Sequence, residues 1–460
     1  MNTVLLKLKP ITAVFLALIA VAILGFTMIF LGWVPQISIL LVVITLLMFG
    51  LVNKVPFVKM QEGMAKGLMS GIGAIYLLFF IGLLVSALML SGAIPTLMYY
   101  GLSGISPNLF YISAFVLSSI FGVSLGSSLT TSATVGVVFM GMASAFGANP
   151  AIVAGAVVSG AFFADKTSPL SDTTTIAASI VGIDMFSHIR NMMYTTVPAW
   201  ILTVILLWFF TEPATANDFA NIEELKAKLV STGLVHWYAL LPFMALIVMA
   251  IKRVNAIYII VTTILLSLIV TYIHSSPTLE ELGGYFFSGY KPAESLNLGE
   301  VASLISRGGI NSMFFTISIV VLALSLGGLL QVLGILPALL AGINRFLTTT
   351  GRVTFVVAST AVGVNFLVGE QYLSLLLSGN AFKPVYDRLG LAPKNLSRTL
   401  EDAGTVINPL VPWSVCGVFV SSVLGIPVLD YVPYAFFCYL CLILTLLFGF
   451  TGVTISKAKK

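Results

Sequence analysis

The sequence predicts an all-α polytopic membrane protein, built from two inverted-topology repeats that each contain five spans and a re-entrant helical hairpin. Of its 460 residues, 58% are hydrophobic and only 8% are charged, whereas soluble domains carry roughly 25% charged residues. The apolar runs reach about 20 residues, the length at which an α-helix crosses a bilayer. A shift of 243 residues also superposes a framework of glycines and prolines from the two halves.

Each half contains five apolar spans, and the fourth span of each half is interrupted by proline, which removes a backbone donor in mid-span. The first-half spans are predicted at 11–33, 37–53, 69–93, 149–183 and 194–211. The second-half spans are predicted at 237–251, 254–273, 312–333, 395–426 and 431–452. We therefore expect one broken helix per half, at about 149–183 around Pro169 and at about 395–426 around Pro409 and Pro412.

Between the third and fourth span of each half lies an apolar stretch with a glycine-flanked interruption near its middle. These stretches cover about 107–146 and about 353–384. Two short helices around such a tip predict a re-entrant hairpin that reaches the midplane. The chain then divides into a first repeat at 1–211, an external linker at 212–235 and a second repeat at 236–460.

The repeat rests on ten identities over 58 ungapped positions, six of them glycine or proline. Each of the following is identical to the residue 243 positions later: Gly126, Gly136, Phe139, Gly147, Pro150, Pro169, Ser171, Ser179, Gly182 and Ile183. Because five spans per half is an odd number, the second copy must be inverted in the membrane. Lys and Arg concentrate in cytoplasmic loops, and 17 of the 22 basic residues are cytoplasmic if the N-terminus is inside. Both termini are therefore expected in the cytoplasm.

The segment from Gly160 to Ile183 places charged and hydroxyl side chains inside an apolar span, among them Asp165 and Asp172. Charged groups at bilayer depth are costly and usually face protein or water, where they mark a function. By extension from the harder divalent ions, Na+ prefers oxygen ligands. We therefore predict a Na+ site at Asp165 and Asp172. The alternative is a kinked helix that carries a structural ion pair.

Other oxygen-bearing side chains lie near the two breaks and the two hairpin tips. The candidate ion- or proton-binding residues are Asp165, Asp172, Ser168, Ser171, Thr173, Ser127, Glu370, Asp402 and Asn408, with Ser124, Ser128, Thr130 and Thr131 as further hydroxyls. A carboxylate held away from water binds a proton more readily, so competition between Na+ and H+ for one carboxylate would couple their movements.

Lys166 and Glu401 are the candidate ion-pair or gating residues. Lys166 is expected either to hold Asp165 ionised or to pair with Asp172. The three histidines, His188, His236 and His274, are scattered near span ends, and we expect structural roles for them.

Two long motifs resemble the NhaC family of Na+/H+ antiporters: GAFFADKTSPLSDTTTIAA at 160–178, followed by DMFSHIRNMMYTTVP, and KNLSRTLEDAGTVINPLVPWS at 394–414. The resemblance implies a secondary transporter of the bacterial inner membrane that moves like an elevator and exchanges Na+ or Li+ for H+. It also implies a homodimer formed through the spans near 11–53 and 237–273. Some relatives exchange malate for lactate, which is the alternative function. The sequence departs from many relatives at Ala164, Thr175 and Ser179.

The sequence has no HExxH motif and no Cys/His cluster of the kind that membrane enzymes use. We therefore predict that the protein is not an enzyme, that it uses no cofactor and that it binds no nucleic acid. Its expected partners are Na+, protons and the lipid bilayer.

Overall fold

The computed structural model describes residues 4–211, 216–252, 254–292, 298, 300–341 and 347–458. Within these residues the backbone is helical, with no β-strand and a single isolated bridge between Leu391 and Lys457. They include eight helices long and apolar enough to cross a membrane, or up to ten if each of two bent pairs counts as one span. The predicted all-α polytopic membrane protein is confirmed. The first part of the predicted linker, 212–215, lies outside the described residues.

The helices of the first half precede and follow a turn at Gly126. They are α1 (Pro10–Gly25), α2 (Pro35–Val52), α3 (Phe57–Ser70), α4 (Ile72–Leu90), α5 (Ala93–Gly104), α6 (Phe110–Leu125), α7 (Ser128–Thr131), α8 (Val137–Met142), α9 (Pro150–Thr167), α10 (Asp172–Val181) and α11 (Met185–Phe209). A further helix, α12 (Ala216–Ser231), occupies most of the predicted linker.

The helices of the second half follow in a similar order around a turn at Gly369. They are α13 (Leu241–Ile251), α14 (Ala256–His274), α15 (Leu279–Ser288), α16 (Glu300–Ile305), α17 (Ile310–Val332), α18 (Ile335–Ala341), α19 (Thr350–Val368), α20 (Gln371–Arg388), α21 (Pro393–Leu400), α22 (Val415–Leu424), α23 (Val428–Tyr431) and α24 (Phe436–Thr451).

A broken helix occurs in each half. α9 ends at Thr167 and α10 begins at Asp172, and the connecting backbone turns extended at Ser168. Proline supplies no backbone N–H and disfavours helical geometry in the residue before it, so Pro169 explains why the helix stops there. In the second half α21 continues through a π-helical turn over Glu401–Thr405 before the chain breaks ahead of α22.

Helix boundaries in the two halves coincide after the 243-residue shift. Pro150 begins α9 and Pro393 begins α21, while the bounds of α10 and α22 correspond at both ends. Both α10 and α22 end at a glycine in the left-handed region, Gly182 with φ 75° and Gly425 with φ 76°. These positive φ values are readily adopted by glycine and disfavoured for other residues.

The two hairpin turns pack against the two breaks. Gly126, with φ 67°, lies so close to the break between α9 and α10 that a Cβ atom at this position would clash with Leu170. Gly369, with φ 72°, accepts a hydrogen bond of 2.8 Å from the backbone N–H of Val415 at the start of α22. Each hairpin therefore holds its turn beside the irregular backbone of a broken helix, where polar groups can meet.

Helices α6 and α9 approach closely because small residues line their contact. A Cβ atom on Gly160 would lie 2.7 Å from Cβ of Ser118 and 2.9 Å from the backbone nitrogen of Ser119. Glycine at a helix crossing lets two backbones come together, as is common between membrane helices. This contact fixes the position of Asp165 relative to the first hairpin.

We expect Gly160→Leu to lower the free energy of unfolding by about 3 kcal/mol, because the added side chain must force α6 and α9 apart. The matched control is Gly73→Leu on α4, where a Cβ atom would meet nothing within 4 Å. Thermal unfolding of both variants in detergent checks the prediction. Equal midpoints for the two variants would contradict the close crossing.

Candidate functional site

The Asp165 carboxylate lies where the first hairpin meets the first break, and only 4% of the residue is exposed. Its Oδ2 atom accepts a hydrogen bond of 2.8 Å from the hydroxyl of Ser128, at the start of α7. Its Oδ1 atom accepts one of 2.7 Å from the hydroxyl of Ser171, just before α10. Two separate elements therefore converge on one carboxylate through hydroxyl groups.

Further hydroxyl groups surround the backbone of Asp165. The Ser171 and Thr173 hydroxyl oxygens are 2.9 Å apart. The hydroxyls of Thr173 and Thr174 donate to the Asp165 carbonyl oxygen at 3.2 and 3.0 Å. Because Pro169 interrupts the helix, these side chains replace backbone donors that the carbonyl would otherwise have had. The result is a compact cluster of carboxylate, hydroxyl and carbonyl oxygens, which we call the Asp165 cluster.

Two predicted ligands lie at the edge of this cluster. Ser168 donates a hydrogen bond of 2.8 Å to the carbonyl oxygen of Val123 on α6, and so joins the break to the hairpin. Ser127 caps α7 by accepting from the backbone N–H of Thr130 at 3.3 Å. Ser128, the next residue, is the hydroxyl at this turn that reaches Asp165. Sequence alone named both serines, and N-cap geometry decides between them.

The structure does not bring Asp172 into the Asp165 cluster. Its side chain is exposed at the first turn of α10 and makes no hydrogen bond or ion pair with any described residue. The predicted role of Asp172 as a second Na+ ligand therefore stays a prediction.

Lys166 points away from Asp165 and is paired across the two broken helices. Its ammonium group forms an ion pair with Asp402, and both side chains are fully buried. It also donates to the hydroxyl of Thr195 at 3.0 Å and contacts the Cys441 sulfur at 3.5 Å. The expectation that Lys166 pairs with Asp172 is therefore wrong, and Lys166 is paired with Asp402 instead of being directed at Asp165 to hold it ionised. Because Asp402 is occupied by Lys166, it is not available as a cation ligand.

Glu401, next to Asp402, is fully buried, and neither of its carboxyl oxygens has a hydrogen-bond partner in the described structure. The nearest ring nitrogen, Nε2 of His188, is 4.0 Å from Oε1. His188 is itself fully buried on α11 rather than exposed at a span end, and its expected structural role stays a prediction. Its position depends on how α11 packs on α21, which the sequence does not reveal.

The second break contains amides where the first contains a carboxylate. Asn408, the counterpart of Asp165, donates to the Oδ1 atom of Asn365 at 2.9 Å and accepts from the backbone N–H of Cys416 at 3.1 Å. The hydroxyl of Ser414 donates to the Asn408 carbonyl oxygen at 2.5 Å. These groups satisfy one another, which is what a structural network requires.

Glu370, at the second hairpin turn, caps α20. Its Oε2 atom accepts a hydrogen bond of 2.7 Å from the backbone N–H of Leu373. A neutral amide oxygen can accept the same bond. Glu370→Gln is therefore expected to change the apparent affinity for Na+ by no more than about twofold. Transport at graded Na+ concentrations checks this, and a clear loss of affinity would make Glu370 a ligand.

Comparisons with known proteins indicate the family to which this chain is similar. Residues 160–453 match the model of the Na+/H+ antiporter family. The chain is 39% identical to the Na+/H+ antiporter NhaC of Alkalihalophilus pseudofirmus, over 92% of this chain and 91% of that protein. It is also 39% identical to NhaC of Bacillus subtilis, over 90% and 92% of the two chains.

A third relative carries a different name. The malate-2H+/Na+-lactate antiporter of Bacillus subtilis is 30% identical over 99% of this chain and 96% of its own length. All three relatives are antiporters and none is named as an enzyme. The match to the family model and the two NhaC relatives confirm the resemblance found in the motifs: the chain belongs to the NhaC-type Na+/H+ antiporter family.

Proposed function

We propose that this protein is a secondary transporter that exchanges Na+, and also Li+, for H+ across the bacterial inner membrane. The observation that carries the proposal is the Asp165 cluster, in which a buried carboxylate meets hydroxyls from α7 and from the break before α10. The names of the 39% identical relatives support the same exchange.

The cluster has the chemistry of a Na+ site. In the structure the hydroxyls of Ser128 and Ser171 donate to the carboxylate. A hydroxyl has two lone pairs as well as one proton, so rotation of both groups lets the same oxygens bind a cation beside Asp165. The C-terminal end of half-helix α9 adds the negative end of its dipole. Asp165, Ser128, Ser171 and Thr173 are the proposed ligands.

The proposed architecture is a pair of inverted repeats with an elevator-like movement. It is supported by the helix boundaries that coincide after the 243-residue shift, and by the excess of basic residues on the side that holds both termini. In this arrangement the N- and C-termini are cytoplasmic. We further propose a homodimer formed through α1, α2, α13 and α14, the helices of the predicted scaffold.

An organic-acid exchanger of the malate–lactate type is the alternative function, favoured by the relative that is 30% identical over nearly the whole chain. The charges near the cluster support the cation instead. Lys166, the basic residue next to Asp165, is neutralised by Asp402. An organic anion at the cluster would therefore face a carboxylate without a compensating cation, which is unfavourable.

Flux measurements on purified protein in liposomes test the proposal. An internal pH dye reports an imposed pH gradient while Na+, Li+, K+, malate and lactate are added separately. Dissipation of the gradient by Na+ or Li+ alone is the expected result. Silence with every cation, combined with exchange of labelled malate for lactate, would replace the proposal by the alternative.

A further inference from the structure

The buried carboxyl group of Glu401 has surroundings opposite to those of Asp165. Asp165 receives a hydroxyl hydrogen bond on each oxygen, which stabilises the ionised form. Glu401 is also buried, and neither of its oxygens has a partner with hydrogen-bond geometry among the described residues, although the Thr405 hydroxyl lies near it. A buried ionised carboxylate without hydrogen bonds is very costly, and such a group takes up a proton instead. Asp165 is therefore suited to bind a cation, whereas Glu401 is suited to carry a proton.

Hydrogen bonding around His188 indicates where a proton on Glu401 would go. The Ser397 hydroxyl donates to the Lys394 carbonyl oxygen at 3.0 Å, so its oxygen is free to accept. Nδ1 of His188 is 2.8 Å from that oxygen, and we therefore assign the hydrogen of the neutral ring to Nδ1. Nε2 is then a bare acceptor, and it has no hydrogen-bond partner among the described residues.

The bare Nε2 atom faces Glu401. It lies 4.0 Å from Oε1, longer than a hydrogen bond, and a side-chain movement of about 1 Å would close this gap. Two acceptors in such a position repel each other unless a proton lies between them. Glu401 and His188 are thus arranged to share one proton, as coupled groups do.

We propose that Glu401 carries the exchanged proton, at a site separate from the Asp165 cluster, and that His188 and Ser397 connect it to the cytoplasm. This inference rests on the proposed Na+/H+ exchange and assigns its proton. It replaces the simpler scheme in which Na+ and H+ compete for the same carboxylate.

The proton transfer balances along this chain. The Oε1–H bond of Glu401 breaks as an Nε2–H bond forms, and the imidazolium passes its Nδ1 proton to Ser397. Because Ser397 is fully buried, this step requires a water molecule to reach its hydroxyl from the cytoplasmic side and take up the released proton. Afterwards the Glu401 carboxylate accepts from Nε2–H, and Nδ1 accepts from the serine hydroxyl. One proton has left, one negative charge remains on Glu401, and every group in the chain is again paired.

The Na+ site and Glu401 are coupled by charge. The ionisable groups around Glu401 are Asp165 and Lys166 on α9, His188 on α11, Asp402 on its own segment and Cys441 on α24, which contacts Lys166. A cation bound at Asp165 adds positive charge within electrostatic range of Glu401 and favours release of its proton. By reciprocity, a proton on Glu401 weakens Na+ binding. An antiporter requires that binding of one ion disfavours binding of the other.

The variant Glu401→Gln is expected to separate Na+-driven proton movement from Na+/Na+ exchange. In liposomes containing the full chain, Na+-driven proton movement is expected to fall by at least about tenfold, because the proton carrier is lost. Exchange of labelled Na+ for Na+ at saturating Na+ should stay within about twofold of wild type, because the Asp165 cluster is intact. The apparent Na+ affinity should also lose its dependence on pH.

Two further variants distinguish a lost proton carrier from a misfolded protein. His188→Gln should slow proton movement and spare Na+/Na+ exchange, while Glu401→Asp should retain part of the proton movement. Asp184→Asn, at the exposed N-cap of α11, and His236→Gln, outside the site, are controls that should behave as wild type. Equal losses of both activities in Glu401→Gln and His188→Gln, or no loss in either, would overturn the proposal. A wild-type protein without Na+/H+ exchange would instead overturn the proposed function.

Discussion

Asp165→Asn is expected to reduce Na+-driven proton movement by at least about 100-fold, since loss of a buried charged partner costs roughly 3 kcal/mol or more. Asparagine has nearly the same size and can still accept a hydroxyl hydrogen bond, so the fold should remain. Its amide group is neutral and directs N–H donors towards the place where a cation would bind. Flux in liposomes at saturating Na+ measures the loss.

Two other aspartates provide the comparison. Asp184→Asn keeps a good N-cap residue on α11 and should transport at the wild-type rate. The Na+ site predicted from the sequence includes Asp172 and implies that Asp172→Asn abolishes exchange. The exposed position of Asp172 outside the Asp165 cluster instead predicts a smaller loss, mainly in apparent Na+ affinity. Wild-type rates in Asp165→Asn, or a complete loss confined to Asp172→Asn, would contradict the proposed site.

Lys166→Met is expected to destabilise the protein by about 3–5 kcal/mol, because it leaves Asp402 as an uncompensated buried charge. Asp402→Leu should have a similar effect, because it leaves the buried ammonium group of Lys166 without an ion-pair partner, its hydrogen bond with Thr195 and its contact with Cys441 being uncharged. Unfolding midpoints in detergent and the amount of folded protein in the membrane measure the loss.

The double variant Lys166→Met with Asp402→Leu should recover much of the lost stability, since it removes both charges together. Glu223→Gln is the matched control, because it breaks the Lys226–Glu223 ion pair at the surface; exposed pairs contribute only about 0–1 kcal/mol. Single variants as stable as wild type, or a double variant no better than either single one, would contradict a buried pair.

The break in α9 and its importance could be predicted from the sequence. Pro169 interrupts an apolar span, and Asp165 is too costly at that depth to be accidental. Local rules of this kind need no knowledge of distant contacts. For the same reason the positions of both broken helices and both glycine turns follow from proline and glycine chemistry.

Contacts between distant segments could not be predicted. Lys166 directly follows Asp165 and lies six residues before Asp172, yet its partner is Asp402 on the other broken helix. His188 lies near the end of a predicted span, where histidines are usually peripheral, but packing of α11 against α21 buries it fully. Asp172 sits on the outward face of α10, and the sequence does not give the rotation of that short helix.

Equilibrium binding of Na+ to the purified protein tests the central claim most directly. Calorimetric titration at alkaline pH would compare wild type with Asp165→Asn, Ser171→Ala and the control Asp184→Asn. The account predicts saturable Na+ binding by wild type and Asp184→Asn, weaker binding by Ser171→Ala, and none by Asp165→Asn. Unchanged Na+ binding by folded Asp165→Asn would contradict it and place the cation elsewhere in the protein.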